Sequence, residues 1–362
     1  LIHQPGGHLP LRLPRADKIQ NRLKCLVGDA LGQFVQRNRG HVELGLPGEV
    51  RRWRSVDGNV GLGSEKVKKE ISRLYTSIRP EEILTEHGAT GGNQHIFFSL
   101  IRPGDRVIAF SPSYQQFYSA PEALGAEVTV LRLRRENGYL PDLDELSRAA
   151  ARGVRMICLN NPNNPTGTGF SVSDIQYIAD NIPTSCAFLV DEAYVEFYGQ
   201  SAVSLLKDYP NMIIARTFSK AYGLASARVG YSIASVAMTD MIGRSFMPYH
   251  MNTLSLVTAD IVYQMRHEYV PRIQMVIAER KRLAEAVKQV PGFTVYPSET
   301  NFLLIHHEAA PALNEAFERQ GIGVRSFGAA PRLTNCLRIS MGTREENDTW
   351  LGVLKAFAEE RA

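Results

Sequence analysis

Residues 154–167 read VRMICLNNPNNPTG, a short apolar run that passes directly into a turn rich in Asn, Pro and Gly. A short apolar run that ends in turn-forming residues is typical of a strand buried on both faces. We therefore predict a strand over Val154–Leu159. The same pattern recurs along the chain and predicts further strands at Ile83–Thr85, Arg106–Phe110, Glu127–Leu131, Ala187–Val190 and Met212–Arg216.

Helical stretches separate these predicted strands, at residues 65–75, 93–101, 114–124, 142–150 and 173–181. Short apolar strands that alternate with helices indicate an α/β fold, in which a mainly parallel sheet is covered by helices on both faces. After about Tyr249 the pattern changes. A long helical stretch over 253–290, with a bend expected at Pro271, precedes strands at 302–305, 323–325 and 336–340 and helices at 310–320 and 344–360. This second pattern predicts a smaller α+β domain.

The length of the chain also favours more than one domain. Single hydrophobic cores stop growing at roughly 250–300 residues, and this chain has 362. We predict an N-terminal segment over 1–55 that packs with the small domain, a large domain over 56–250 and a small C-terminal domain over 251–362.

Composition argues against several classes of partner. The chain has 41 basic and 37 acidic residues, and the basic residues are scattered, so no nucleic-acid partner is expected. No apolar run reaches the roughly 18 residues that predict a membrane span. The four cysteines show no metal-ligand spacing, which favours a reducing, cytoplasmic setting and predicts no metal site.

Four segments with unusual residues directly follow predicted strands. In open α/β sheets, ligands bind at the carboxyl ends of the strands, so these segments are expected to meet. Each alone has an ordinary interpretation, as a turn, a capping residue or a surface charge. The segments are GATGG at 88–92, NNPTG at 163–167, DEAY at 191–194 and TFSKAYGLASARVG at 217–230.

Their residue types suit a phosphate-bearing ligand with a reactive carbon. The glycines of 88–92 let backbone N–H groups approach an anion at a helix N-terminus. Asp191 ends a buried strand, which costs free energy unless the carboxylate meets a positive partner. Lys220 follows an apolar strand, and desolvation there would free its amine for imine formation. The hydroxyl of Ser219 and the guanidinium of Arg228 can both bind a phosphate group.

Taken in this order, the four segments resemble fold-type-I aminotransferases of class I/II, which use pyridoxal phosphate (PLP). The resemblance is strongest to the histidinol-phosphate aminotransferase group and extends from about Glu65 to the end of the chain. It implies a three-layer αβα large domain and a homodimer. It also implies that Lys220 forms the Schiff base, that Asp191 pairs with the pyridinium nitrogen, and that Tyr194 with Asn164 binds the phenolic oxygen.

The same resemblance assigns further residues. Tyr114 would stack on the cofactor ring, and Arg338 would bind the substrate carboxylate, for which a bidentate arginine is suited. Arg325 lies where the histidinol-phosphate group has an arginine near the substrate's phosphate. The cofactor's phosphate would be held by Ala89, Thr90, Ser219 and Arg228.

Two regions depart from that group's pattern. Gly91 stands where the group usually has an acidic residue in the phosphate-binding turn. The N-terminal part lacks the group's Arg-Tyr-Pro segment, whose tyrosine reaches the partner subunit's cofactor. In that group the N-terminal segment usually helps to recognise the substrate and close the site, so its divergence bears on the choice of substrate.

Three functions are therefore weighed. The first is transamination between an amino-acid-like substrate and a 2-oxo acid through a Lys220 Schiff base, as part of amino-acid biosynthesis. The second is a decarboxylase, cyclase or oxidase that uses PLP on the same fold. The third is a protein that binds PLP or another anion without catalysis, and the presence of Lys220, Asp191 and Arg228 together argues against it.

Overall fold

The computed structural model describes residues 64–247 and 250–361, which belong to one compact unit that extends from Gly61 to Ala362. The predicted N-terminal segment over 1–55 lies outside the described residues. Among the residues described, no helix is both long enough and apolar enough to cross a bilayer.

The larger of two sheets has seven strands, and all six strands predicted for this half of the chain are present. Its strands are β1 (Ile83–Glu86), β2 (Arg106–Ser111), β3 (Glu127–Arg132), β4 (Met156–Asn160), β5 (Ala187–Asp191), β6 (Met212–Thr217) and β7 (Gly230–Ala234). They lie in the order β1-β7-β6-β5-β4-β2-β3. The strand β7, which was not predicted from the sequence, is antiparallel to both of its neighbours, β1 and β6. The other strand pairs of this sheet are parallel. The mainly parallel sheet is confirmed.

Helices cover this sheet on both faces. They are α1 (64–72), α2 (Gly88–Leu100), α3 (Gln116–Ala123), α4 (Leu143–Ala150), α5 (Val172–Asp180), α6 (Val195–Tyr198) and α7 (Val236–Gly243). Successive side chains of a strand point to opposite faces. Phe188 and Leu189 of β5 accordingly pack into two different apolar clusters, one on each side of the sheet. The three-layer αβα architecture is confirmed.

The second sheet is small and antiparallel. Its strands are β8 (Thr294–Val295), β9 (Phe302–His306), β10 (Arg325–Ser326) and β11 (Cys336–Ser340), in the order β10-β11-β9-β8. The helices of this part are α8 (Thr253–Gln264), α9 (Val270–Lys288), α10 (Ala310–Arg319) and α11 (Arg344–Glu359). The last three pack against the sheet around a separate apolar cluster, as expected for a smaller α+β domain. The boundary at residue 250 stays a prediction.

The long helix predicted over 253–290 is wrong in one respect. The chain forms two helices, α8 and α9, joined through a 3-10 turn at Arg266–Tyr269. Pro271 lies in the first turn of α9 instead of bending a continuous helix. Proline lacks an N–H group and is well tolerated in a first turn, where that group has no helical partner.

A buried ion pair holds β5 and β6 together beneath the carboxyl edge of the large sheet. Arg216 of β6 donates to Oε2 of Glu192 through Nε at 3.0 Å and Nη2 at 2.6 Å. Both residues are buried, and the backbone N–H of Ala202 donates to the other carboxylate oxygen at 2.7 Å. Glu192 directly follows Asp191, so this pair ties down the backbone at the point where β5 ends.

We expect Arg216→Met to lower the free energy of unfolding by about 3–5 kcal/mol, because it leaves the charge of Glu192 buried and unpaired. The double variant Arg216→Met/Glu192→Met should lose much less, since neither charge remains. Urea denaturation of the two variants and the wild type measures both effects.

The matched control is Lys207→Met, which breaks an exposed pair whose Lys207 Nζ and Asp208 Oδ2 atoms are 3.8 Å apart. Exposed pairs contribute about 0–1 kcal/mol. If Arg216→Met costs no more than Lys207→Met, the buried pair does not stabilise this edge.

Candidate active site

The carboxyl edge of the large sheet brings the four predicted segments together. Asn160 ends β4 and lies in register with Asp191, the last residue of β5. The side chain of Asn160 donates to the backbone carbonyl of Asp191 at 3.2 Å and accepts from the backbone N–H of Asn164 at 2.7 Å. The turn over 163–167 is thus positioned by the strand end that precedes it.

Asp191 is a buried carboxylate without a paired cation. Its side chain is 2% exposed and accepts from Asn93 Nδ2 at 2.8 Å and from the backbone N–H of Ala193 at 3.0 Å. Burial raises the pKa of Asp191 to about 6, although these hydrogen bonds and the positive charge of Lys220 oppose the rise. None of the salt bridges among the described residues involves Asp191. The carboxylate is therefore suited to a ligand that brings its own positive charge.

Lys220 lies beside Tyr194 at the same edge. Its Nζ atom is 5.2 Å from the centroid of the Tyr194 ring. The side chain of Lys220 is exposed, so the prediction of a desolvated lysine is wrong for the protein alone. Two residues separate Lys220 from the end of β6, and the amine therefore lies on a loop, open to a ligand.

A row of contacts links Tyr194 to the small sheet. The Tyr194 ring meets the ring of Phe302 edge to face, with centroids 5.4 Å apart, and the guanidinium carbon of Arg338 is 4.9 Å from the Phe302 centroid. Arg338 also donates to the side-chain carbonyl of Asn164. Predicted residues from β11, the 163–167 turn and the end of β5 therefore share one site.

Arg325 lies opposite Arg338 in the register of β10 and β11. Burial lowers the pKa of Arg338, the nearby Tyr194 opposes this effect, and the positive charge of Arg325 adds to it. Arg325 itself is exposed. Two neighbouring guanidinium groups thus face one end of the site, an arrangement suited to anionic substrate groups.

The segment over 88–92 differs from the prediction in its local structure. We expected a turn before a helix at Asn93, but α2 begins at Gly88, so Ala89 and Thr90 form its first turn. Their N–H groups therefore belong to the unpaired donors of a helix N-terminus, which favours an anion there. Gly88 has φ +70°, and a Cβ atom on it would lie 2.7 Å from Nη2 of Arg228.

Arg228 and Ser219 lie on the loop between β6 and β7. Arg228 donates to the carbonyl of His87 at 3.3 Å, so its guanidinium lies at the N-terminus of α2. A Cβ atom on Gly230 would lie 2.6 Å from the backbone of Gly88, and glycine there permits β7 to approach α2. Ser219 Oγ accepts from Thr217 Oγ1 at 2.9 Å and keeps its own hydrogen available.

Tyr114 joins the same group of residues, because its hydroxyl lies 2.9 Å from Oγ1 of Thr90. Asn93 and Phe302 also belong to this group of residues, although the sequence does not predict them as site residues. Asn93 lies inside a helix, where a polar side chain carries no signal of its own. Phe302 resembles any apolar strand residue.

Comparison with known proteins identifies a family for this chain. The family model "Aminotransferase class I and II" matches residues 61–354. The chain belongs to this family. A histidinol-phosphate aminotransferase of Dehalococcoides mccartyi is 34% identical over 360 residues, covering 98% of this chain and 96% of the relative. One of Thermoanaerobacter sp. is 34% identical over 294 residues, covering 81% and 82%.

A solved structure shows the same fold. It is the histidinol-phosphate aminotransferase of Sinorhizobium meliloti in complex with pyridoxal 5'-phosphate, with a TM-score of 0.74, 24% identity and 88% of each chain covered. With the family match, these similarities show that this protein is a PLP-dependent transaminase. The cofactor is pyridoxal 5'-phosphate.

The residues present at the carboxyl edge fit this cofactor. The buried carboxylate of Asp191 has no cationic partner in the described part of the chain, and a protonated pyridine nitrogen would supply one. The α2 N-terminus with Arg228 and Ser219 offers donors for a phosphate group. Lys220 presents an exposed primary amine beside Tyr194.

We expect Asp191→Asn to remove a pH dependence of the cofactor-free protein. The unfolded chain releases the Asp191 proton near the usual pKa of aspartate, whereas the folded protein retains it until about pH 6. Between these values the unfolded state is favoured as pH rises. From pH 4 to pH 7 the wild type should therefore lose roughly 2 kcal/mol of stability relative to Asp191→Asn.

Urea unfolding at pH 4, 5, 6 and 7 measures this difference. Asp208→Asn removes one exposed negative charge and serves as the control. A wild-type curve that stays parallel to the Asp191→Asn curve would show that burial does not raise the pKa of this carboxyl.

Proposed function

We propose that this transaminase moves an amino group between a small amino-acid-like substrate and a 2-oxo acid, with Lys220 as the covalent attachment point of PLP. The observation that carries the proposal is the convergence at one sheet edge of an uncompensated buried carboxylate, Asp191, and an exposed amine, Lys220. This pair suits a ligand with a positive ring nitrogen and a reactive carbonyl carbon.

The cofactor, when bound, supplies an electron sink for charge that develops on the substrate. The residues of the chain then have separate tasks. Asp191, held by Asn93, keeps the ring nitrogen protonated. Asn164 and Tyr194 would bind the phenolic oxygen, and Tyr114 would cover one face of the ring.

Lys220 has the second catalytic task, that of moving a proton. Its amine is exposed and lies on a loop, so it can reach the substrate after it has released the cofactor. We propose that Nζ takes the proton from the substrate's α carbon. Nζ would then deliver that proton to the cofactor carbon on which the amino group remains. General acid–base transfer of this kind needs an amine within hydrogen-bond reach of the reacting carbon.

We propose that the two guanidinium groups select the substrate. Arg338 is half-buried, its Nε has no hydrogen-bond partner among residues 64–247 and 250–361, and its pKa is lowered by burial. A bidentate carboxylate would satisfy it. Arg325 lies next to it and suits a second anionic group, and relatives of this chain are named for a phosphate-bearing substrate. A substrate of the histidinol-phosphate type is thus proposed, within amino-acid biosynthesis.

We also propose that the enzyme works as a homodimer, in line with the resemblance noted above. Large apolar side chains at the surface support this proposal. Phe98 is 63% exposed, Met247 73% and Leu254 60%, and a partner subunit that covers them would remove apolar area from water.

We expect Lys220→Ala to abolish covalent attachment of the cofactor. The wild type should gain the mass of reduced PLP on the peptide that contains Lys220 after borohydride treatment, and the variant should gain none. Mass spectrometry of the digested proteins measures this, with Lys207→Ala as a control that removes an exposed lysine elsewhere. Attachment that persists in Lys220→Ala would rule out Lys220 as the Schiff-base residue.

We expect Arg338→Lys to raise the KM for the 2-oxo acid by about tenfold, because lysine cannot form the bidentate pair. The kcat should change less, because Arg338 would bind the carboxylate equally well in the ground state and in the transition state. Steady-state kinetics with Arg319→Lys as a surface control tests this. An unchanged KM would place the carboxylate elsewhere.

A further inference from the structure

A cavity of about 390 Å³ lies where the loop after β3 meets the loop before β11. Six residues line it, and four are arginines: Arg132, Arg134, Arg135 and Arg332, with Leu133 and Glu136. Arg132 is the last residue of β3. The cavity therefore opens at the same edge of the large sheet as the active site, the edge at which ligands of α/β folds bind.

Four guanidinium groups and one carboxylate, that of Glu136, line this cavity, so a net positive charge remains there. The ion pairs formed by arginines of residues 64–247 and 250–361 involve other guanidinium groups. Like charges that share a partly enclosed space repel one another more strongly than in bulk water. A bound oxyanion relieves this repulsion, and arginine forks bind phosphate through two parallel hydrogen bonds.

Two hydrogen bonds join the loops that carry these arginines. The hydroxyl of Tyr139, a buried residue, donates to the carbonyl of Arg332 at 3.1 Å. Nη2 of Arg135 donates to the carbonyl of Thr334, also at 3.1 Å. Arg332 has φ +67°, a conformation that costs a non-glycine residue about 1 kcal/mol or more and that surrounding contacts must maintain. Arg332 is thus held at the cavity against its own backbone preference.

The cavity lies near the active site but apart from the residues that fit the cofactor. Arg132 lies in register with Ser111 of β2, three residues before Tyr114. Burial raises the pKa of Tyr118 on α3, and the positive charge of Arg332 opposes that rise, so this guanidinium lies close to α3. In the strand order, β3 is three positions from β5, which separates their ends by about 14 Å.

We propose that this cavity is a second phosphate-binding site, distinct from the α2 N-terminus that fits the phosphate of PLP. The phosphate group that it binds has two possible sources. It belongs either to the far end of a bound substrate, which this cavity would then hold in place of Arg325, or to a separate small molecule that binds beside the active site. The chemistry of recognition, arginine forks on a doubly charged oxyanion, is the same for both.

The experiment titrates inorganic phosphate into holoenzyme saturated with PLP, so that the cofactor's own phosphate site is filled. Isothermal titration calorimetry should detect saturable binding to the wild type. The variant Arg132→Gln/Arg134→Gln should bind at least about tenfold more weakly, because it removes charge-assisted hydrogen bonds. Both side chains are exposed, which makes a folding defect a minor concern. Arg132→Lys/Arg134→Lys keeps the charge and should weaken binding less.

The matched control is Arg272→Gln/Arg319→Gln, which removes the same number of charges from exposed arginines of α9 and α10. It should bind phosphate as the wild type does. If the wild type shows no saturable binding, or if the control and the Arg132→Gln/Arg134→Gln variant bind equally, the proposal is overturned. The proposed function assigns the anionic groups of the substrate to Arg338 and Arg325, so that result leaves the proposed function intact.

Kinetics distinguish the two sources of phosphate. If the cavity holds the far end of a substrate, inorganic phosphate competes with a phosphorylated amine, and Arg132→Gln/Arg134→Gln raises the KM for that amine alone. If it holds a separate molecule, phosphate changes kcat without competition, and the variant loses that response. Either pattern, together with the calorimetry, supports the site.

Discussion

The uncompensated charge of Asp191 is the constraint on which the site depends. Burying a carboxylate costs several kcal/mol unless hydrogen bonds or a cation compensate. The chain supplies two hydrogen bonds, from Asn93 and from the backbone of Ala193, but no paired cation among the residues described. The pKa of the carboxyl stays raised, to about 6. Burial of this unpaired carboxylate costs free energy in the folded protein. A cationic ligand that pairs with Asp191 removes this cost, and the free energy recovered contributes to binding of the cofactor.

On the other face of the sheet, at the same end of β5, the buried carboxylate of Glu192 is paired with a cation. Glu192 is as buried as Asp191, yet Arg216 and the N–H of Ala202 satisfy it fully. Neighbouring acidic residues therefore have opposite roles, because alternate side chains of a strand point to opposite faces. One face anchors the backbone, and the other leaves a carboxylate open to the ligand.

Much of this could be predicted from the sequence, and the exceptions have physical causes. The parallel strands are recognisable in the sequence as short apolar runs, because the central strands are buried on both faces. The antiparallel β7 was missed because Gly230 to Ala234 directly continues the loop of Lys220 and Arg228, with no break in the sequence before it. The desolvation predicted for Lys220 is not seen, because this lysine lies on a loop and only a bound ligand would cover it. Asn93 could not be found, since its role comes from a contact with Asp191, 98 residues away.

The pairing of β1 with β7 has a consequence for how the site is assembled. Ile83 lies in register with Ile233, and Arg228 contacts the carbonyl of His87, 141 residues away. Contacts of such long range carry a large loop-closure entropy and form late in folding. Although β1 lies at the edge of the described sheet, Ile83, Thr85 and Glu86 are buried, so its pairing with β7 forms part of the core. Because α2 follows β1 and Arg228 precedes β7, the phosphate-binding region is complete only once these two strands have paired.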